Sequence, residues 1–226
     1  MFIMNVASPH LSCHIMPLLA IAGYLAYPKQ LRINPSLLYL LSVIHNGLLV
    51  VFSSWTFVSL SQVLYNDGIV FKSNYYFQNP HFETVIYLFY ISKYYEFFDT
   101  FILYLNGKSP IFLQKYHHIG AVICWHLTYI YKVEGIWIAT ILNSFVHTIM
   151  YSYYLGCLLK IKQVRFIKKY ITSLQLCQLM PQPICLYLYN TDDNYNILLF
   201  FTLYSVGLVM LFGSFYYDNY IKTKRT

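Results

Sequence analysis

The stretch KYYEFFDTFILYLNGKSPIFLQKYHH, Lys93 to His118, decides how the chain is read. It places a lysine, two acids and a histidine pair inside sequence apolar enough for lipid, where an unpaired charge costs several kcal/mol and is retained mainly for function. At helical spacing Lys93, Glu96 and Thr100 share one face, with Asp99 close beside it. The break from Asn106 to Pro110 ends that helix. Ser109 before Pro110 predicts an N-cap with proline in the first turn, so a new helix from about Ile111 carries Gln114, His117 and His118 on adjoining faces. Helices joined this tightly are expected to pack antiparallel, which brings the two polar clusters into one space.

The surrounding composition agrees with lipid. The 226 residues are 58% hydrophobic and 10% charged, against about 25% charged in an average globular domain. A soluble core of this composition would leave too few polar residues for its surface. The 25 Tyr and 17 Phe, with Lys far above Arg, look like the coding bias of an AT-rich genome, so aromatic stripes carry little information. Cys13, Cys124, Cys157, Cys177 and Cys185 are scattered without metal-ligand spacing and read as small buried hydrophobes, not as a disulfide framework. The first residues lack a basic n-region and an A-x-A site, so no removable signal peptide is read.

Seven apolar spans can be drawn, at 11–27, 37–60, 84–105, 111–131, 136–159, 170–189 and 197–217, each near the roughly 20 residues a crossing helix needs. The fold expected is all-α, a polytopic membrane protein with seven transmembrane helices forming one domain over 1–226. The net charge of +7 is spread through loops and is not a nucleic-acid patch. Lys29, Arg32, Lys108, Lys115, the five basic residues from Lys160 to Lys169, and Lys222, Lys224 and Arg225 fall in one alternating set of loops. Lys72 and Lys132 fall in the other, with Asp67, Glu83, Glu134, Asp192 and Asp193. By the positive-inside rule this asymmetry puts the amino terminus outside the cytosol and the carboxyl terminus within it. Pro181 and Pro183 are expected to kink the sixth span.

Two more polar stripes follow. Asn143, His147, Tyr151 and Tyr154 recur at four, four and three along the fifth span, and Thr172, Gln175 and Gln178 at threes along the sixth. Lipid cannot satisfy such groups, so they must turn inward. Interhelical hydrogen bonding and a self-paired ion cluster would account for part of the pattern. Chemically, imidazole, carboxylate, amide and phenol lining one enclosure suit proton and acyl transfer. A metal site is the rival for paired histidines, and a seven-helix transporter or receptor with an inward polar pathway is the alternative from another class.

Taken together, K-x-x-E-x-x-D-T (Lys93, Glu96, Asp99, Thr100), H-H (His117, His118), N-x-x-x-H-x-x-M-Y-x-Y-Y (Asn143 to Tyr154) and T-x-x-Q-x-x-Q (Thr172, Gln175, Gln178) resemble, in order and spacing, the four signature boxes of the ELO family of fatty acid elongases. The resemblance implies condensation of a long-chain acyl-CoA with malonyl-CoA to 3-oxoacyl-CoA, CoA and carbon dioxide in the endoplasmic reticulum membrane. It also implies six helices enclosing an acyl tunnel. No resident cofactor or metal is implied; both CoA thioesters are substrates. The implied catalytic set is His117 as acyl acceptor, with His118, His147, Asn143 and Gln114. By the same resemblance Lys93, Glu96, Asp99, Thr100, Tyr151, Tyr154, Gln175 and Gln178 line the site; Lys108 and Lys115, which flank the turn, are candidates to meet the CoA phosphates, with a role as topology anchors the alternative. A ketoacyl reductase, a dehydratase and an enoyl reductase are the implied partners. The family box is usually H-x-x-H-H; here Gln114 takes its first position, which also weakens the metal reading. Gln114, one turn before His117, is expected to orient that ring. Lys222 and Lys224 resemble a dilysine retrieval signal.

Overall fold

Asn-Pro pairs start two of the helices for the same physical reason. Proline at the first helical position forgoes a donor that would be unpaired anyway, and the asparagine oxygen takes up the next free N–H groups. Asn34 accepts from the Ser36 amide at the head of α2, Pro35–Asp67. Asn79 accepts from His81 and Phe82 at the head of α3, Pro80–Tyr95. The computed structural model describes residues 14–27, 33–71, 75–189, 191 and 194–222. Its remaining helices are α1, Ile15–Ala26, α4, Phe97–Leu105, α5, Phe112–Ile130, α6, Ile136–Leu158, α7, Lys168–Leu179, α8, Pro181–Tyr187, and α9, Tyr195–Tyr216, which runs on through a π-helical turn, Tyr217–Ile221.

The described residues contain no strand, in keeping with the all-α expectation. Two segments, Pro35–Asp67 and Tyr195–Ile221, are each long and apolar enough to cross a membrane. Of the other expected spans, the fourth and fifth coincide with α5 and α6, while the first, third and sixth differ in detail. The third divides at Glu96, where the Asp99 amide bonds back three residues to the Glu96 carbonyl and tightens the ladder for one turn. The sixth divides between α7 and α8, because Pro181 has no N–H to continue the ladder. Helix α1 has 12 residues, and positions 11–13 of the first expected span lie outside the described residues.

Ser109 does not cap α5. The capping position is Ile111, with no side-chain bond, and the chain reaches it from a closed turn instead. Gly107, at φ 70°, lets its own amide bond to Tyr104 and the Lys108 amide to Leu103 at 2.9 Å each. That left-handed residue terminates α4 at little steric cost only because it lacks a Cβ.

The bundle holds its helices close by small residues. Along α2 the buried positions Ser42, Asn46, Leu49, Ser53, Thr56 and Leu60 form a stripe that lets α2 lie along α6 as its most extensive neighbour. Between α5 and α9, a Cβ on Gly120 would collide with the ring of Tyr204, and one on Gly207 with the hydroxyl of Tyr116. Glycine and tyrosine thus interlock in both directions across that pair.

One end of the bundle is closed by a clamp. Buried Glu134 accepts from the Tyr76 and Phe77 amides at 2.9 and 3.2 Å. Tyr76 donates to the Gly68 carbonyl at 2.7 Å, and Tyr189 to the Val70 carbonyl at 3.0 Å. Trp137 donates in turn to the Tyr189 hydroxyl, and Lys132 pairs with Glu83. The connections after α2, α5 and α8 therefore gather at this end. Burial pushes the Glu134 carboxyl above the ordinary glutamate range, against the backbone N–H bonds that favour its charged form.

Candidate functional site

Opposite the clamp lies a cavity of about 610 Å³. Its wall is drawn from α2, α4, α5, α6, α7 and α9, and from the α4–α5 turn, while α1 contributes nothing to it. His117, His118, Gln114 and Asp99 face it from the organising stretch, Tyr151 and Tyr154 from α6, and Thr172 and Gln175 from α7. The two polar clusters of the organising stretch do come into one space: Gln114 Nε2 donates to Thr100 Oγ1 at 3.2 Å, and His118 Nε2 lies 3.9 Å from Asp99 Oδ2.

Two carboxylates organise the polar groups, and each has its own partners. Glu96 is 2% exposed and takes Lys93 Nζ at 2.6 Å, with His147 Nδ1 3.5 Å from the same oxygen. Lys93 is equally buried; it also donates to Asn143 Oδ1 at 3.1 Å and sits 3.8 Å above the Phe89 ring. A charged pair this deep stands only if its hydrogen bonds are met. Glu96 Oε2 has no partner among the described residues. Lys93, Glu96, Asn143 and His147 form no part of the cavity wall and lie behind it.

Asp99 faces the cavity itself. His45 Nε2 lies 2.9 Å from Oδ1, and Tyr151 donates to Oδ2 at 2.8 Å. The rings of His117 and His118 are 5.4 Å apart and those of His117 and His147 6.2 Å apart. Four imidazoles and two carboxylates thus converge beside one cavity. Position 117 is further fixed through its backbone, whose carbonyl accepts from the Tyr204 hydroxyl at 2.9 Å.

Several expectations are revised. Gln114 does not reach for the His117 ring; its amide nitrogen is held by Thr100, which bonds on its other side to Tyr24 of α1 at 2.9 Å. Thr100 therefore lies away from the cavity, in a separate aromatic groove under α1. Lys115, half-buried in the first turn of α5, is not part of the wall, whereas Lys108 is, joined by Lys168. Gln178 is buried outside the wall, its oxygen without a partner among the described residues, while Gln175 donates to the Met150 sulfur. The acids and histidines of the described residues form no cluster of three or more arranged to hold a metal ion.

Two further residues with contacts here, His45 and Tyr24, fall in none of the motifs. His45 lies on the same helical face as Ser42 and Leu49, the buried stripe of α2, which is the signal that could have found it. Tyr24 carried no signal, standing in a short apolar helix of a tyrosine-rich chain.

The model of the ELO: GNS1/SUR4 family matches residues 4–226. A fatty acid elongase of Dictyostelium discoideum is 36% identical over 148 residues, 62% of this chain and 54% of that protein. Very long chain fatty acid elongase 5 of Xenopus tropicalis is 35% identical over 145 residues, 61% of this chain and 49% of its own. The protein of that name from Tachysurus fulvidraco is 31% identical over 195 residues, 80% of this chain and 65% of its own. The first two matches span about half the length of those relatives. No solved structure matches the chain.

Proposed function

From the premise that this chain belongs to the ELO family, we propose that it elongates fatty acyl chains as a membrane-embedded acyltransferase, condensing an acyl-CoA with malonyl-CoA. The observation that carries the reading is the adjacency of His117, His118 and Asp99 in the wall of one apolar cavity. Such a wall offers a nucleophile and an acid–base pair beside room for a chain.

In the proposed reaction an imidazole nitrogen of His117 attacks the thioester carbonyl of acyl-CoA. The carbon–sulfur bond breaks and CoA leaves as its thiol. Malonyl-CoA then enters and loses carbon dioxide, and the resulting enolate carbon attacks the acyl carbonyl. The new carbon–carbon bond forms as the acyl–nitrogen bond breaks; the departing imidazolate takes one proton from solvent to replace the one carried off by the CoA thiol, which returns His117 and releases 3-oxoacyl-CoA. Transfer through the imidazole means that the two bulky CoA groups never share the site. His118 assists decarboxylation, while His147 and Asn143, behind the wall, act through the Glu96 and Lys93 that they contact.

The same reading makes the cavity the wide end of an acyl tunnel whose far end is the Glu134 clamp. It places the protein in the endoplasmic reticulum membrane, with the cavity on the cytosolic side and the three remaining activities of a chain-elongation cycle acting on its product. Lys108 and Lys168 stand where CoA phosphates would arrive. Of the dilysine-like pair, Lys222 is exposed and Lys224 lies outside the described residues.

The test is release of free CoA from acyl-CoA alone by the purified protein, followed by carbon dioxide release once malonyl-CoA is added. His117→Ala is expected to abolish both. Substantial condensation by that variant, or CoA release that strictly requires malonyl-CoA, would refute the acyl-imidazole route. Passage of a solute without turnover would favour a transporter.

A further inference from the structure

His45 belongs to none of the motifs, yet it makes the shortest imidazole–carboxylate contact at the cavity, 2.9 Å from Nε2 to Asp99 Oδ1. Its side chain is only 5% exposed and lies in the cavity wall. With Nε2 engaged by the carboxylate, the other ring nitrogen, Nδ1, needs a hydrogen-bond partner of its own. Nδ1 is buried and has no partner among the described residues. A histidine retained for packing would be expected to satisfy both nitrogens, because an unpaired buried polar atom costs stability.

The consequence for Asp99 is geometric. Tyr151 holds Oδ2 and His45 holds Oδ1, so the carboxylate cannot rotate, and Oδ2 stays directed at His118 Nε2. Without His45 the Oδ1 side would be free to swing toward the cavity, as the carboxylate is 20% exposed. We propose that His45 is a positioning residue of this site, fixing Asp99 so that the carboxylate orients and supports the His118 ring. The inference rests on the elongase reading for the chemistry that His118 performs, and on the contacts alone for the link from α2 to α5.

The test uses three substitutions at 45 in the full-length protein. A glutamine side chain can place an N–H where imidazole Nε2 stood, asparagine is too short to reach Asp99, and phenylalanine keeps the ring but has no donor. His45→Gln should keep kcat for condensation within about threefold of the parent, while His45→Asn and His45→Phe should lose about tenfold or more with KM for acyl-CoA little changed. In an Asp99→Asn background the difference between Gln and Asn should vanish. A parental kcat in His45→Phe, or equal kcat in Gln and Asn, overturns the proposal; if the phenylalanine variant does not fold, the Gln and Asn pair decides. The link is also read without turnover, by the rate at which diethyl pyrocarbonate modifies His118, followed by peptide mass spectrometry. That rate should be parental in His45→Gln and altered in His45→Asn, and equal rates in all variants overturn the proposal. A parent that condenses nothing while showing these rates would sink the elongase reading and leave the positioning link standing.

Discussion

The deepest charges in the molecule allow a test that separates pairing from chemistry. Lys93 and Glu96 are 1% and 2% exposed and bonded at 2.6 Å. Lys93→Met leaves the Glu96 carboxylate buried with His147, 3.5 Å away, as its remaining polar contact among the described residues. Breaking a buried pair from one side costs about 3–5 kcal/mol. At about 2–4 °C per kcal/mol for a chain of this size, the melting temperature should fall by roughly 6–20 °C. Combining it with Glu96→Gln removes the stranded charge and keeps an acceptor for His147, so most of that loss should return. Recovery stops short because Asn143 Oδ1 has still lost its donor, worth about 1–3 kcal/mol. The assay is thermal unfolding in detergent by tryptophan fluorescence, with Trp125 as a nearby reporter, its ring 5.1 Å from Lys93 Nζ. Condensation should stay lost in the double variant, because Asn143 is no longer held in place. A single variant as stable as the parent, or a double no better than the single, would refute the reasoning.

Other outcomes follow from the same contacts. Gly120→Ala should cost about 1–3 kcal/mol by overpacking and lower kcat as well, since the displaced Tyr204 ring carries the hydroxyl that holds the His117 carbonyl; a stable, fully active variant would count against that link. Lys108→Ala should raise KM for both CoA substrates and Lys115→Ala should not, because only Lys108 faces the cavity; equal KM values would dismiss Lys108. Glu134 titrates above its unfolded value because of burial, so the native state binds its proton more tightly and the group's contribution is fully present below about pH 4.3. That contribution is lost as pH rises through the folded value. The melting-temperature advantage of the parent over Glu134→Gln should therefore grow as pH falls from 7 to 5, and a constant or shrinking gap would contradict the assigned direction.

The organising stretch could be read from sequence because its information is local. Lys93, Glu96 and Asp99 stand three apart, so any helix puts them within a turn, and a short break to the next helix leaves little room except side by side. The divided third span escaped notice because a one-residue tightening at Glu96 does not disturb the apolar pattern on either side. Proline at 181 announced the other division, as it removes a donor that no context can replace. Ser109 had the chemistry of a cap but lost the position to a turn closed through Gly107.

What could not be read is register between distant helices. In water a helix shows its inner face by amphipathicity, but in lipid both faces are apolar, and α2 presents only small hydroxyls, one amide and one histidine to mark its stripe. His45 and Asp99 are 54 residues apart, and nothing in either local pattern says that they meet. The same limit explains Gln114. One turn from His117 was a sound reason to expect a contact, yet helical neighbours share a face without their side chains needing to bond. Thr100 on the facing helix offered the amide a better-placed acceptor. Hence the residues of the signature boxes divide into two kinds: those whose partners lie in the same box, as with Lys93 and Glu96, and those whose partners lie on another helix, as with Asp99 and Gln114. Spacing predicts the first kind. The second is set by how closely the small residues of α2 and the glycines of α5 and α9 let the backbones approach, and that packing is what converts four separate motifs into one wall.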